Sequence, residues 1–401
     1  MKNKTAIILI LCFFSIKLTN GQNQWVSQVS GTSSFLKSVF FVSADTGYVA
    51  VEAGSILKTV NGGTNWVHVG NGPEKCLFFL TSKKGFGTYD NYIISTVNGG
   101  VNWNSCYTNP NISDIVSLNF PDKKHGYAAA WGQDIDNYVI KTNNGGTSWD
   151  TIYKYSGNFA NFESIFFTDS MTGYVATENG NILKTTNGGS SWTITPIDLV
   201  NTVAIASIYF PTADTGYAAT DIQVYKTTDG GSTWNGLPQY FSPSLYSVFF
   251  IDTKHGCVGG GNGYNSMTLY QTNNGGNTWH QGASGVQTLN SVFFADSLPG
   301  YAVGTNGTIL KYTNVTGIED NAQTEIFSIY PNPANDLLTI QLSEPNAKAE
   351  IKIYDQLGQI ESFLNVSTPQ TKIDISNLTN GVYVIELKTE NTNSRQKFVK
   401  E

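Results

Sequence analysis

Six carboxylates stand where the repetitive pattern of this 401-residue chain does not call for one: Glu52, Asp90, Asp134, Asp136, Glu178 and Asp221. Two carboxylates at a suitable separation are enough for glycoside hydrolysis, one as the acid and one as base or nucleophile. Asp134, Asp136 and Asn137 form a D-x-D-N string of hard oxygen donors that would suit calcium, but it lacks the later Gly and Glu of a calcium loop. Trp131 precedes that string, and Tyr264 falls in a second long loop, 259–267. Aromatic rings beside carboxylates are the ingredients of a sugar-stacking or peptide-binding surface. Tyr153, Tyr155, Phe159, Tyr240 and Phe241 would extend it. The ligand-binding candidates are therefore Trp131, Asp134, Asp136, Glu52, Glu178, Asp221 and Tyr264, with no catalytic residue, metal ligand or cofactor assigned.

Other chemistries find no support. The single arginine, Arg395, cannot build the multi-arginine clamp that recognises a substrate carboxylate. The four histidines lack a metal-binding spacing, and His125 and His255 both precede a glycine in equivalent turns. Neither a nucleophile elbow nor a phosphate-binding loop appears in a credible context. Beyond Cys12 the chain holds Cys76, Cys106 and Cys257, an odd number, which leaves a Cys76–Cys106 bridge open.

These residues must be carried by strands and turns. Glycine numbers 40, aromatic residues make up 13% of the chain, and charged residues also 13%, about half the usual share. Six segments share the pattern T-x-[ND]-G-G-x-x-W: 59–66, 96–103, 142–149, 185–192, 227–234 and 272–279. Their tryptophans recur every 37 to 46 residues, the length of one four-stranded propeller blade. Before each lies a unit such as SVFFVSADTGYVAVEAGSILK (38–58), which supplies the other three strands. A seventh unit, 289–313, ends before its Trp strand, and NQWVSQVSG (23–31) supplies that strand from the N-terminus. The reading is an all-β chain whose first domain, 22–317, is a seven-bladed propeller closed by its N-terminal strand. Asn-Gly-Gly meets the positive φ of a tight hairpin, and the Trp fills the space between blades. Asp45, Asp169, Asp214, Asp252 and Asp296 recur in the turn after the first strand in five of the seven units and are read as turn-forming. The irregular acids fall on the opposite face, in loops joining second to third strands.

The motifs resemble the Asp-box, or bacterial neuraminidase, repeat, which TTDGGSTW (227–234) matches fully. The longer unit SVxFxxxxxGYxxxxxGxILKTxNGGxxW resembles the propeller repeat of photosystem assembly and stability factors and of many secreted bacterial proteins. The resemblance covers residues 23–313. It implies a fold rather than an activity, since such hairpins occur in sialidases, xyloglucanases, receptors and scaffolds. The lone arginine speaks against a sialidase.

Residues 318–401 change in composition. YPNPANDLL (330–338), IYDQLGQ (353–359), LTNGVYVIEL (378–387) and the closing KFVK (397–400) alternate apolar and polar residues between turns, as in a small immunoglobulin-like β-sandwich. They resemble the type A C-terminal sorting domain of the type IX secretion system of Bacteroidetes. That implies Sec export, engagement of the type IX machinery, and release or attachment at the outer cell surface. At the other end, Lys2 and Lys4 precede an apolar run at 6–16, and Thr19 and Gly21 precede Gln22, the pattern of a signal peptide over 1–21. Loss of Lys2, Lys4 and Lys17 with that leader takes the formal net charge from −7 to −10, which disfavours nucleic acid. No transmembrane segment is expected, and a monomer is. The leading functional expectation is a secreted or surface-displayed module that binds a protein or a polysaccharide. The alternatives are a xyloglucanase-like glycoside hydrolase and a periplasmic or surface assembly scaffold.

Overall fold

In each repeat the Thr before Asn-Gly-Gly organises the hairpin. Thr59 Oγ1 donates to Asn61 Oδ1 (3.0 Å) and accepts the Gly63 amide (2.8 Å), while Asn61 Oδ1 accepts the Asn65 amide (3.0 Å). Gly62 and Gly63 sit at φ of 61° and 81°, conformations that side-chain-bearing residues rarely adopt. Asp229 takes the Asn position in the fifth full copy and accepts from Thr233 Oγ1 as well.

The computed structural model describes residues 23–156, 160–197, 203–262, 266–285, 287–295, 299–314, 327–342, 349–354, 360–366, 368–389 and 393–401. The expected leader lies outside them. The chain divides into two compact units. Among the described residues there is no helix, hence none long and apolar enough to cross a membrane.

The first unit begins with β1 (Asn23–Gln28), followed by β2 (Leu36–Phe41), β3 (Gly47–Val51), β4 (Ser55–Thr59) and β5 (Val67–Asn71). Strands β2 to β5 form a four-stranded antiparallel meander, blade 1, and five more meanders follow at 77–108, 112–156, 162–196, 205–240 and 245–281. Blade 7 takes its first three strands from 289–314 and its fourth from β1, with Gln28 opposite Ile309 and Asn23 opposite Asn314. The N-terminal closure expected from the sequence is therefore present.

First strands of successive blades are stitched together along the ring's inner wall. Ser117 Oγ accepts the Ile165 amide, and Ser164, Ser207, Ser247 and Ser291 accept those of Ile208, Val248, Val292 and Val39, at 3.0–3.4 Å. In blade 2 Cys76 takes the serine position, its thiol donating to the Val116 carbonyl at 2.9 Å. Cys106 donates to the Ile93 carbonyl (3.3 Å), and both thiols are free, so the bridge that the count left open is not formed.

Between blades the core is an aromatic triad. Tyr301 of blade 7 stacks on Phe41 of blade 1 (centroids 3.8 Å apart), and Trp66 meets Phe41 edge-on at 5.9 Å. Tyr48, Phe79 and Trp103 repeat this, as do Tyr174, Phe210 and Trp234. The glycine before each such Tyr follows from the packing, because a Cβ on Gly47 would overlap the Phe41 ring. Between blades 6 and 7 the buried Cys257 replaces the Tyr, and Trp25 packs on Phe294 and Tyr312 instead.

In the second unit, strands Phe327–Tyr330, Leu337–Leu342 and Gln370–Asp374 form one sheet. Strands Ala349–Tyr354, Ile360–Val366, Gly381–Lys388 and Asn393–Lys400 form another. Both bury their inward residues, among them Phe327, Ile340, Ile351, Ile385 and Phe398, in one core, the arrangement of a β-sandwich.

Candidate ligand-binding face

A four-stranded meander sends its first-to-second and third-to-fourth turns to one face of the ring. The second-to-third turns and the links between blades go to the other. On the first face the recurrent acids are structural, as expected: Asp169 Oδ1 accepts the Met171 and Thr172 amides, and Asp252 Oδ1 those of Lys254 and His255. His125 and His255 bond Asp122 and Asp252 through Nδ1. At Asp45 and Asp214 the turn is capped instead by Ser43 and Thr212, which accept the Thr46 and Thr215 amides. Asp296 lies outside the described residues.

The second face carries the irregular acids. Glu52 is exposed and pairs with Lys37 of the neighbouring strand at 3.2 Å. Asp136 is held by Lys154 (2.7 Å) and Ser156 (2.6 Å), which together keep its carboxyl below the usual range. Asp134 and Glu178 are exposed, and Asp221 is half-buried. Asp90 is exposed at φ 48° in the tight turn between Tyr89 and Tyr92. Tyr264 and Phe159 lie outside the described residues. Among those described, no group of three or more His, Cys, Asp or Glu side chains is placed to hold a metal ion.

Two aromatic candidates are corrected. Trp131 is half-buried rather than exposed, and its indole N–H donates to the Phe162 carbonyl of the next blade. Phe241 is buried against Trp279, in a core cluster of blades 5 and 6. Tyr153 and Tyr155 are half-buried, Tyr155 stacking on Phe162. Tyr240 is 68% exposed, as expected.

Further residues join this face that the sequence reading passed over. Phe35, Tyr89, Tyr92 and Tyr246 are exposed there together with Tyr240, and all five exposed aromatic residues described in the propeller fall on this side. The opposite turns expose Val60, Val97, Val101 and Met171. The Tyr89 ring lies over Gly54 of blade 1, where a side chain would collide with it.

Toward the inner wall, Lys75 pairs with Asp114, whose second oxygen is buried without a partner. Glu163, half-buried on the first strand of blade 4, has its carboxyl pushed up to about 7, chiefly by burial and then by the charge of Glu178. The face thus spends Lys37, Lys75 and Lys154 on ion pairs of its own; among the described residues Asp90, Glu178 and Asp221 have no salt-bridge partner, and Asp134 adds its charge to that of Asp136 around Lys154. It offers aromatic rings and net negative charge to a ligand. The position of Glu163 is occupied by Lys37, Lys75, Val116, Ala206, Tyr246 and Asn290 in the other blades. That variability inside an otherwise regular strand was the one available sequence signal for it.

Residues 328–401 match the family model described as a secretion system C-terminal sorting domain, and residues 100–241 match that of the photosynthesis system II assembly factor YCF48. No curated protein matches. Among solved structures, YCF48 from Cyanidioschyzon merolae is 17% identical, with a TM-score of 0.57 over 72% of this chain and 98% of its own. A structure of YCF48 bound to D1 peptide is 14% identical, with a TM-score of 0.56 over 73% of this chain and 97% of its own. PorZ, an essential bacterial surface component of the type IX secretion system of Porphyromonas gingivalis, is 12% identical, with a TM-score of 0.51. That match covers 93% of this chain and 60% of PorZ. At these identities the likeness is one of fold. The chain joins a β-propeller with YCF48-like repeats to a type IX secretion C-terminal sorting domain, which marks it for export to the cell surface.

Proposed function

We propose that the exported propeller is a non-catalytic binding module that holds an uncharged or basic partner, protein or polysaccharide, on its second-to-third-strand face. The observation that carries this reading is the gathering of Phe35, Tyr89, Tyr92, Tyr240 and Tyr246 on one side of the ring, where Asp90, Glu178 and Asp221 have no salt-bridge partner among the described residues. Aromatic rings supply stacking area at low entropic cost, and the residual charge selects against acidic partners. In this reading residues 1–21 are a leader removed on export. Residues 22–317 form the working domain, and 318–401 comprise the link and the module that engages the type IX machinery. The mature protein acts as a monomer. The test is retention of the protein on immobilised neutral polysaccharides and basic peptides, with and without alanine at Tyr89, Tyr92 and Tyr240.

One observation favours a second reading, a glycoside hydrolase. Burial, and then the charge of Glu178, push the Glu163 carboxyl up to about 7, so near neutrality a sizeable share of it keeps the proton that a general acid needs, with a second carboxylate nearby. Reducing-end release from a polysaccharide panel, abolished by Glu163→Gln and by Glu178→Gln, would establish it.

A further inference from the structure

The face opposite the proposed binding surface holds a cavity of about 450 Å³ at the centre of the ring, opening among the turns after the first strands. It is built from one repeated position, the residue after the apolar centre of each first strand. That position is Phe40, Phe78, Asn119, Phe166, Tyr209, Phe249 and Phe293 in blades 1 to 7. Neighbouring rings touch around the channel, with centroids 5.0 Å apart for Phe40–Phe78 and Phe40–Phe293, 5.4 Å for Phe249–Phe293, 4.5 Å for Tyr209–Phe249 and 5.1 Å for Phe166–Tyr209. The belt is interrupted once, at Asn119 between Phe78 and Phe166, and all three residues line the cavity.

The polar groups of this cup are few. Asn119 Oδ1 accepts the Phe167 amide at 3.0 Å, and its amide nitrogen has no partner among the described residues. The Tyr209 hydroxyl likewise has none, although it lines the same space. Thr168 and Thr212, at the rim, bond their own turns. No charged side chain lines the cavity. A concave, apolar site of a few hundred Å³ with a small number of unspent polar groups is the usual form of a site for a small ligand group.

We infer that this cup binds an uncharged aromatic ring with one polar edge, phenol-like or indole-like, which takes the seventh place in the belt between Phe78 and Phe166. Its faces meet aromatic neighbours as the other six do, and its polar edge meets the Asn119 amide or the Tyr209 hydroxyl. A charged ring is disfavoured because nothing in the cup would neutralise it. Such a ring comes either from a free aromatic compound or from a Tyr or Trp side chain presented by a partner chain. The site is independent of the binding face proposed above.

The experiment titrates the full chain with p-cresol and with a neutral capped peptide holding a single tyrosine, followed by ligand-observed magnetic resonance and calorimetry. Saturable binding is expected, weakened at least about tenfold by Asn119→Phe, which completes the belt with the residue type the other blades already carry. Tyr209→Phe keeps the ring and is expected to weaken p-cresol about fivefold, the loss of one hydrogen bond, while leaving toluene unaffected. Tighter binding of the peptide assigns the ring to a partner chain, and tighter binding of p-cresol assigns it to a free compound. Absence of saturable binding by either probe overturns the inference, as does undiminished binding by a folded Asn119→Phe variant whose unfolding matches the parent.

Discussion

The Tyr301 hydroxyl donates to the Gly62 carbonyl at 2.9 Å, tying the last blade to the hairpin of the first across 239 residues of sequence. Lys311 reaches the same carbonyl at 2.7 Å, and within the ring Tyr174 and Gly230 repeat the bond at 2.7 Å. The seam between blades 7 and 1 is thus built like an internal one. Tyr301→Phe keeps the stacking on Phe41 and should lower stability by about 1 kcal/mol, whereas Tyr301→Ala should cost about 3–5 kcal/mol. Denaturant unfolding of the two variants checks the difference, and equal effects would contradict this account of the seam.

Glu163 makes stability depend on pH. Its carboxyl is raised from 4.5 to about 7 in the folded state by burial, then by Glu178, so between those values the folded chain holds a proton that the unfolded chain releases. Stability therefore falls as pH rises through that window, and the whole penalty stands above about pH 7. Glu163→Gln should remove this slope and raise stability at pH 8 by about 1 kcal/mol, after allowance for partial solvent screening. Parallel unfolding curves for the parent and the variant from pH 5 to 8 would refute the assignment.

Apart from Cys12, the cysteines should behave as three free, poorly reactive thiols, Cys257 buried and Cys76 and Cys106 half-buried. Burial pushes Cys76 up to about 11 and raises Cys106 and Cys257 as well. Native protein at pH 8 should react slowly with an alkylating reagent, and denatured protein should take up label at all three positions without prior reduction. A Cys76–Cys106 bridge would instead leave only Cys257 open to label.

In the hairpins, the Thr hydroxyl matters more than the charge of the residue two places on. Thr227→Val would orphan the buried Gly231 amide, bonded at 2.8 Å, and should cost about 1–2 kcal/mol. Asp229→Asn should leave stability close to that of the parent, because Asn61 and its counterparts hold the same turn. Thermal unfolding of both variants separates the two contributions.

The blades were legible because each repeats one physical solution: glycines where φ is positive, an aromatic triad where sheets meet, and a Thr that pins the hairpin. Even the split seventh blade could be read, since Asn23–Gln28 carries the Trp25 that 289–314 lacks. The binding face was only partly legible, because a loop residue's exposure depends on the next blade and not on its own repeat. Trp131 read as an exposed ring and is half-buried, its indole bonded to Phe162, and Phe241 read as surface and is core. Glu163 was hidden by the regular strand around it, and Tyr89 gains its place from Gly54 of another blade.

The most direct test of the central claim is retention of the exported protein on arrayed neutral polysaccharides and basic peptides. The parent should be compared with a variant carrying alanine at Tyr89, Tyr92 and Tyr240. The account predicts at least one ligand whose retention the triple variant loses by about tenfold or more, with no reducing ends released by either protein. Retention unchanged in the triple variant, or reducing-end release that Glu163→Gln abolishes, would contradict it.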